Sequence, residues 1–230
     1  MPLLFTRRLF PVHRQPPVFG VWQIVEEERF FRRRLALTPA EEAELGRYRD
    51  LRRLEWLAVR YLLHLLTGNG ERWPLEKDAF AKPFFLTNNG LHCSLSHSKG
   101  LVGALLADVP GGCDLQVLTE KMPQLAPRFL HEEEVAFMRT FAADVQLDLQ
   151  HVFWTAKESL YKAYGLKALD FRQHLRIEPF EWAGGSGEAI GWVCRQTPFQ
   201  PYSLYFEKPA VRPGIPAFVW TVCLPSNAMA

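Results

Sequence analysis

The chain has 230 residues, of which 48% are hydrophobic and 23% are charged, and these proportions are ordinary for a globular protein. Its 17 phenylalanines and 7 tryptophans supply far more buried surface than an intrinsically disordered chain contains. The formal net charge is only +2, from 27 basic and 25 acidic side chains, which argues against a protein that coats nucleic acid.

The 4 cysteines are far apart in the sequence and form no CxxC motif. A disulfide scaffold and a thiolate zinc site are therefore not expected, and a reducing compartment fits this pattern best. The first residues lack the order of a signal peptide, and the strongest apolar run, Leu101 to Ala107, is too short to span a bilayer. We expect a cytoplasmic, monomeric protein that does not bind membranes.

Hydrophobic periodicity predicts a strand, a long helix and three strands, followed by two helices and a strand-rich remainder. The long helix is predicted over 40–66, with Thr38 near its start and Gly68 at its end. Gly165 is expected to end the last helix. The other predicted elements are a strand at Val18–Val25, a meander of strands at Leu91–Ser96, Leu101–Ala107 and Cys113–Leu118, helices at His131–Phe141 and His151–Tyr164, and strands at Ala189–Cys194, Tyr202–Phe206 and Ala217–Leu224.

This order of helix then strands, followed by helix then strands, predicts an α+β protein in two comparable halves. The turn at Val109-Pro110-Gly111-Gly112 is a natural boundary between residues 1–109 and residues 110–230. The sequence there has no flexible linker, so the halves are expected to pack closely.

Asp114 and Gln116 are two residues apart in a predicted strand, so their side chains project from the same face. A carboxylate beside an amide oxygen suits a hard cation such as Mg²⁺, which takes few protein ligands and keeps water or phosphate oxygens. The alternative is a solvated strand face near a turn.

Glu158 and Lys162 are four residues apart and share one face of a predicted helix. An ordinary surface ion pair is one interpretation. The aromatic neighbours Phe153, Trp154 and Tyr161 indicate instead that this helix is largely buried. A buried carboxylate and ammonium need a reason, such as a metal ion and a phosphate.

The segment from Ser96 to Lys99 brings hydroxyl, imidazole and ammonium groups together at the end of a strand. Such a cluster can hold a phosphate through charge-assisted hydrogen bonds, and the alternative is ordinary polar turn chemistry. A zinc site formed by His92, Cys93 and His97 is disfavoured, because the alternation of a strand turns Cys93 away from His92.

Taken in chain order, these segments resemble the Sfp-like 4′-phosphopantetheinyl transferases. The usual forms of the family's motifs are GKP, xSHS, GxDxE and WxxKEAxxK, preceded by a helix, and the matches span most of residues 53–165. The matching blocks are Arg53-Leu54-Glu55-Trp56-Leu57-Ala58-Val59-Arg60, Lys82-Pro83-Phe84, Ser94-Leu95-Ser96-His97-Ser98, Gly112-Cys113-Asp114-Leu115-Gln116 and Trp154-Thr155-Ala156-Lys157-Glu158-Ser159-Leu160-Tyr161-Lys162.

The resemblance implies a pseudo-twofold fold of two similar halves, each with a long helix packed on a small, mainly antiparallel sheet. It implies an active site in the cleft between those halves. The implied enzyme uses Mg²⁺ to move the 4′-phosphopantetheine group from coenzyme A to a serine of an apo acyl or peptidyl carrier protein, releasing adenosine 3′,5′-bisphosphate. Its expected partners are coenzyme A and the carrier protein, without nucleic acid.

The resemblance also implies roles for individual residues. Asp114 and Glu158 would bind Mg²⁺ on the pyrophosphate of coenzyme A, with Gln116 as a further candidate ligand. Glu158 would also take the proton from the carrier serine, and Lys162 would neutralise the phosphate that leaves. The residues implied to bind coenzyme A are Arg53, Arg60, Lys82, Ser96, His97, Lys157 and Lys162, with His97 and an arginine near the 3′-phosphate.

Gln116 stands where many bacterial members of the family have a glutamate. The first alternative is therefore a catalytically impaired relative that binds coenzyme A or a carrier protein without efficient transfer. The second alternative is a nucleic-acid-binding module that uses the basic helix face between Arg47 and Arg60. Affinity that falls steeply with salt would identify that module, and the small net charge argues against it.

Overall fold

The computed structural model of the protein describes residues 2–10, 17–87, 90–166 and 168–226. The chain divides into two compact units, unit 1 at Met1–Val109 and unit 2 at Pro110–Ala230. Across these described ranges, no helix is long and apolar enough to cross a membrane.

Unit 1 packs helices against an antiparallel sheet. Its elements are β1 (Leu3–Arg8), β2 (Val18–Gln23), α1 (Glu28–Leu35), α2 (Pro39–Leu45), α3 (Asp50–Thr67), β3 (Leu75–Lys77), β4 (Pro83–Phe85), β5 (His92–Ser98) and β6 (Leu101–Ala107). The sheet has the strand order β1-β2-β6-β5, and β3 pairs with β4 in a separate hairpin. The long helix α3 lies on β6 and β2.

The core of unit 1 forms where α3 meets the sheet. Trp56, Leu57 and Leu62 are buried on the helix, and every residue of β6 is buried beneath it. Each large apolar side chain removed from water in this way contributes about 1.5–3 kcal/mol. This packing fixes the position of the polar residues that share the same elements.

Unit 2 repeats the plan with a longer helix. Its elements are β7 (Gly112–Val117), α4 (Met122–Leu125), a short 3₁₀ helix (Ala126–Arg128), α5 (Glu132–Met138), α6 (Ala143–Tyr164), β8 (Leu175–Ile177), β9 (Ser186–Val193), β10 (Gln200–Glu207) and β11 (Phe218–Pro225). The sheet has the order β7-β11-β10-β9-β8, with every neighbouring pair antiparallel. The helix α6 packs on β7 and β11.

The predicted α+β class is confirmed, because each unit consists of a long helix on an antiparallel sheet. The predicted helix ends are confirmed as well. Thr38 and Glu41 form a reciprocal capping box at the start of α2. Gly68 and Gly165 end α3 and α6 in the left-handed conformation, with φ of 62° and 74°.

Three predictions of local structure are wrong. The helix expected to begin at His151 begins eight residues earlier, at Ala143. The helix expected over 40–66 is two helices, because Gly46 ends α2 and Arg49 is extended before α3 begins. The expected three-stranded meander is a hairpin of β5 and β6 only, since β7 pairs with β11 in the other sheet. Antiparallel pairing with a strand from the far end of unit 2 cannot be read from local periodicity.

Candidate active site

The candidate site of unit 2 begins with a close approach of β7 to α6 at Gly112. A Cβ atom at this position would lie 1.9 Å from the carbonyl oxygen of Ser159 and 2.8 Å from the backbone nitrogen of Ala163. Only glycine fits between strand and helix here. The contact therefore fixes the residues that follow Gly112 in β7 beside the last turns of α6.

Asp114 and Lys162 form an ion pair across this contact. The Nζ atom of Lys162 lies 2.7 Å from Oδ1 of Asp114 and donates a second hydrogen bond of 2.9 Å to the carbonyl oxygen of Cys113. Asp114 is buried and Lys162 is half-buried. Burial alone would lower the pKa of Lys162, but the negative charges of Asp114 and Glu158 raise it.

Glu158 lies one helical turn before Lys162 on α6 and is partly buried. Burial, together with the nearby negative charge of Asp114, raises the pKa of its carboxyl group to about 7, against the opposing charge of Lys162. A carboxyl group with a pKa near neutrality is poised to accept or release a proton at physiological pH. The ammonium group of Lys162 is paired with Asp114, and its charge also favours the ionised form of Glu158.

Gln116 follows Asp114 by two residues on β7 and is half-buried, whereas the intervening Leu115 is fully buried. Its Nε2 atom donates a hydrogen bond of 3.0 Å to the carbonyl oxygen of Val117. With its nitrogen engaged by the backbone, the neutral oxygen is the atom that Gln116 offers to a cation.

This donor set fits Mg²⁺. Two carboxylates supply hard oxygen atoms, and a bound cation would relieve the repulsion that raises the pKa of Glu158. Among the described residues there is no group of three or more histidine, cysteine, aspartate or glutamate side chains that would hold a metal ion by themselves. A magnesium ion commonly needs only one or two protein carboxylates and takes its other ligands from water and phosphate.

Lys157 precedes Glu158 but faces the interior of unit 2. Its side chain is completely buried, and its Nζ atom lies 2.7 Å from Oε2 of Glu134. The same ammonium group donates hydrogen bonds to the carbonyl oxygens of Phe129 and Phe171, at 2.7 and 3.0 Å. Burial lowers the pKa of Lys157, and these three acceptors match its three protons. In this structure it ties α6 to its neighbours, and its predicted contact with coenzyme A stays a prediction.

In unit 1, the His97 side chain contacts a buried carboxylate and remains partly exposed. Its Nδ1 atom lies 2.8 Å from Oε2 of Glu55 on α3, and 39% of the His97 side chain is exposed. The adjacent Ser96 is buried in β5. Thus the sequence cluster separates into an outward-facing imidazole and an inward-facing hydroxyl group.

The two arginines of the α3 block are held by carboxylates of unit 1. Arg53 donates two hydrogen bonds to Glu28, of 2.7 and 2.8 Å, and a third to the carbonyl oxygen of Leu45. Arg60 is buried over the ring of Trp56, with Nη2 at 3.3 Å from Oε2 of Glu44. Burial lowers the pKa of Arg60 to about 10.

Lys82 is half-buried in the turn that joins β3 to β4, where its backbone nitrogen donates to Asp78. The positive charge of Lys82 is near enough to help lower the pKa of His92, although burial of the imidazole is the larger cause. The structure thus groups the predicted residues by unit: Asp114, Gln116, Lys157, Glu158 and Lys162 in unit 2, and Arg53, Arg60, Lys82, Ser96 and His97 in unit 1.

Residues 111–223 match the model of the 4′-phosphopantetheinyl transferase superfamily. The predicted family resemblance is thereby confirmed. The chain is also similar to a 4′-phosphopantetheinyl transferase, gsp, of Aneurinibacillus migulanus, with 31% identity over 111 residues. The aligned part is 48% of this chain and 46% of that relative, so the similarity spans just under half the length of the transferase.

Sequence reasoning missed the contribution of two residues within the matched blocks. The sequence gives Glu55 no role beyond its place in the α3 block, although a buried carboxylate on a helix is a signal of a specific partner. Gly112 belongs to a motif, but the backbone contact that demands a glycine depends on β7 lying against α6. That packing has no local sequence signal.

Proposed function

We propose that the protein is a Mg²⁺-dependent 4′-phosphopantetheinyl transferase. It moves the 4′-phosphopantetheine group from coenzyme A to a serine of an apo acyl or peptidyl carrier protein in the cytoplasm. The observation that carries this proposal is the Glu158 carboxyl group, whose pKa is about 7, beside the Asp114–Lys162 ion pair. The similarity of residues 111–223 to the transferase superfamily supports the same reaction.

The reaction exchanges the phosphoanhydride bond of coenzyme A for a phosphodiester bond to the carrier serine. The serine Oγ of the carrier attacks the phosphorus atom that bears the pantetheine arm. The bond from this phosphorus to the bridging oxygen of the pyrophosphate breaks, and its electron pair leaves with adenosine 3′,5′-bisphosphate. The serine proton goes to Glu158, directly or through a water molecule. General-base assistance of this kind typically contributes about 10²- to 10⁴-fold in rate.

Asp114 and Glu158 would hold the metal ion, with Gln116 offering a neutral oxygen to it or to its water shell. When bound, Mg²⁺ would neutralise the pyrophosphate and favour a geometry suited to displacement. Lys162 contributes a fixed positive charge beside Asp114, which opposes the charge that accumulates on the leaving phosphate. Glu158 must be ionised to accept a proton, so the cation and Lys162 both favour the reactive form.

In unit 1, His97 is proposed to bind the 3′-phosphate of coenzyme A. A protonated imidazole donates charge-assisted hydrogen bonds to phosphate oxygens. The exposed part of the His97 side chain makes this possible, whereas three of the five N–H donors of Arg53 are engaged by Glu28 and Leu45.

A chromatographic assay of adenosine 3′,5′-bisphosphate tests the function. The protein is incubated with coenzyme A, Mg²⁺ and a panel of apo acyl and peptidyl carrier proteins, and the matched control is each carrier with its acceptor serine changed to alanine. We expect one equivalent of product for each carrier modified and none with the control. Product formation that does not depend on the serine would contradict the proposal.

A catalytically impaired coenzyme A-binding protein is the second candidate function, and Gln116 favours it. An amide at this position supplies no negative charge for the cation. Coenzyme A binding without transfer to any carrier, together with transfer by the Gln116→Glu variant, would support this candidate instead.

A further inference from the structure

Glu55 is a carboxylate on the buried side of α3, with only 5% of the residue exposed. Its two oxygen atoms have different partners. Oε2 lies 2.8 Å from Nδ1 of His97, and Oε1 accepts a hydrogen bond of 3.1 Å from the backbone nitrogen of Gly100. One buried side chain therefore joins the helix to both the end of β5 and the turn that follows it.

Glu55 remains ionised in this position. Burial alone would raise the pKa of its carboxyl group, but hydrogen bonds from His97 and Gly100, with the nearby charge of Arg52, lower it. If a buried carboxylate served packing alone, an apolar side chain could take its place with little loss of folding stability. The role of Glu55 therefore lies in its hydrogen bonds to His97 and Gly100.

The turn that Glu55 contacts is a tight, two-residue turn. Lys99 and Gly100 both have positive φ, of 47° and 84°, as a two-residue hairpin between β5 and β6 requires. The carbonyl oxygen of Gly100 also accepts a hydrogen bond of 2.9 Å from the backbone nitrogen of Ile24. The carboxylate that meets His97 is therefore anchored to the backbone of the sheet.

This anchoring determines how the imidazole of His97 is presented. With Nδ1 bonded to Glu55, a protonated ring has its Nε2–H as the remaining donor. The 39% of the side chain that stays exposed leaves part of the ring accessible to a ligand. We propose that Glu55 is a positioning residue, which orients the His97 ring so that Nε2–H is aimed at the 3′-phosphate of coenzyme A. The proposal rests on the function proposed above.

Calorimetric titration with coenzyme A and with 3′-dephospho-coenzyme A, both in the presence of Mg²⁺, tests this role without requiring transfer. The measured quantity is the ratio of the two affinities, here called the 3′-phosphate preference. The variants are His97→Ala, Glu55→Gln and the double variant. The matched control is Glu42→Gln, which makes the same chemical change at an exposed position of α2 that contacts Arg32.

We expect His97→Ala to lower the 3′-phosphate preference about ten- to a hundredfold, the range for a hydrogen bond to a charged group. Glu55→Gln, which keeps one acceptor oxygen in place of two, should lower it about three- to tenfold, the size of one intramolecular hydrogen bond. Affinity for dephospho-coenzyme A should stay within about twofold in both variants. In the double variant, the glutamine should cause no further loss, because Glu55 acts through His97.

An unchanged preference in Glu55→Gln, with the preference lost in His97→Ala, would overturn the role of Glu55 and leave the proposed function intact. Equal loss for both ligands in Glu55→Gln would show a purely structural role and would also overturn it. If the wild-type protein binds neither ligand, the proposed function fails, and the proposal fails with it. Should Glu55→Gln not fold, Glu55→Asp replaces it, since the shorter carboxylate cannot reach both donors and the same loss is expected.

Discussion

The two units share a plan, but the pKa of Glu158 in unit 2 is shifted in the opposite direction to the pKa values of three carboxylates in unit 1. In unit 1, three carboxylates on the helices each meet at least one cation or imidazole, and their pKa values are lowered despite burial. The pairs that show this are Glu28 with Arg53, Glu44 with Arg60 and Lys77, and Glu55 with His97. Such pairs hold elements together and leave little unbalanced charge.

In unit 2, Lys162 is ion-paired with Asp114, and the negative charge of Asp114 adds to the effect of burial on Glu158. The pKa of Glu158 rises to about 7, in the direction opposite to the pKa values of Glu28, Glu44 and Glu55. The comparison teaches that burial alone does not mark a reactive carboxylate. Burial together with a nearby like charge, held in place by packing, does so.

The largest expected effect is that of Glu158→Gln on transfer. Removal of the base and a metal ligand together should lower the rate of transfer at least about 10²- to 10⁴-fold. Carrier modification measured by intact mass checks this, with Glu188→Gln as the matched control at an exposed position of β9. Near-normal turnover of the Glu158 variant would contradict the catalytic role assigned to Glu158, and the difference in pKa between the two units would then have no bearing on catalysis.

The same variant should be more stable than the wild-type protein at pH 8. A raised pKa means that the folded state of the wild type loses stability as the pH rises from about 4.5 to about 7, because ionisation is harder in the folded chain. Glutamine removes this loss. The difference in melting temperature between variant and wild type, without Mg²⁺, should therefore grow from pH 5 to pH 8. A difference that is constant with pH would contradict the raised pKa.

Asp114→Asn should chiefly change the metal requirement. The amide cannot supply the negative charge that attracts Mg²⁺. The Mg²⁺ concentration that gives half-maximal transfer should therefore rise at least about tenfold. A titration of the transfer rate with Mg²⁺ measures this shift. Asp114→Asn also removes the carboxylate partner of Lys162, so a melting curve is the control for folding. An unchanged metal titration would exclude Asp114 as a ligand.

The pH dependence of transfer should show Glu158 as well. The rate should rise through pH about 7 as Glu158 loses its proton, provided that the metal is limiting. Saturating Mg²⁺ favours the ionised carboxylate, so it should move this acid limb to lower pH. Rate profiles at low and high Mg²⁺ measure the shift. Identical profiles at both Mg²⁺ concentrations would show that Glu158 is not a ligand of the metal ion.

The smallest effects are expected at Gln116. Gln116→Glu adds a carboxylate to the same strand face and should tighten Mg²⁺ binding by about three- to tenfold. Gln116→Ala should cost much less than Asp114→Ala, since a neutral oxygen is the weakest of the three candidate ligands. Calorimetric titration of Mg²⁺ in the presence of coenzyme A measures both. Equal losses in the two alanine variants would show that Gln116 is as necessary as Asp114.

The sequence was sufficient where the physics is local. Gly68 and Gly165 mark helix ends because a left-handed residue is needed there, and the Glu158–Lys162 spacing follows from helical geometry. It was insufficient where distant segments meet. The pairing of β7 with β11 and the contact of Glu55 with His97 both depend on tertiary packing, which local periodicity does not encode.

The central claim, that Glu158 is poised to transfer a proton near neutral pH, is tested most directly by the pKa of Glu158 itself. Carboxyl ¹³C resonances of a protein labelled at glutamate can be followed against pH, and the Glu158→Gln variant identifies the signal. We expect this signal to titrate near pH 7 without metal, and at lower pH once Mg²⁺ and coenzyme A are bound. Titration at the ordinary value of 4.5, or a midpoint that Mg²⁺ and coenzyme A leave unchanged, would contradict the account.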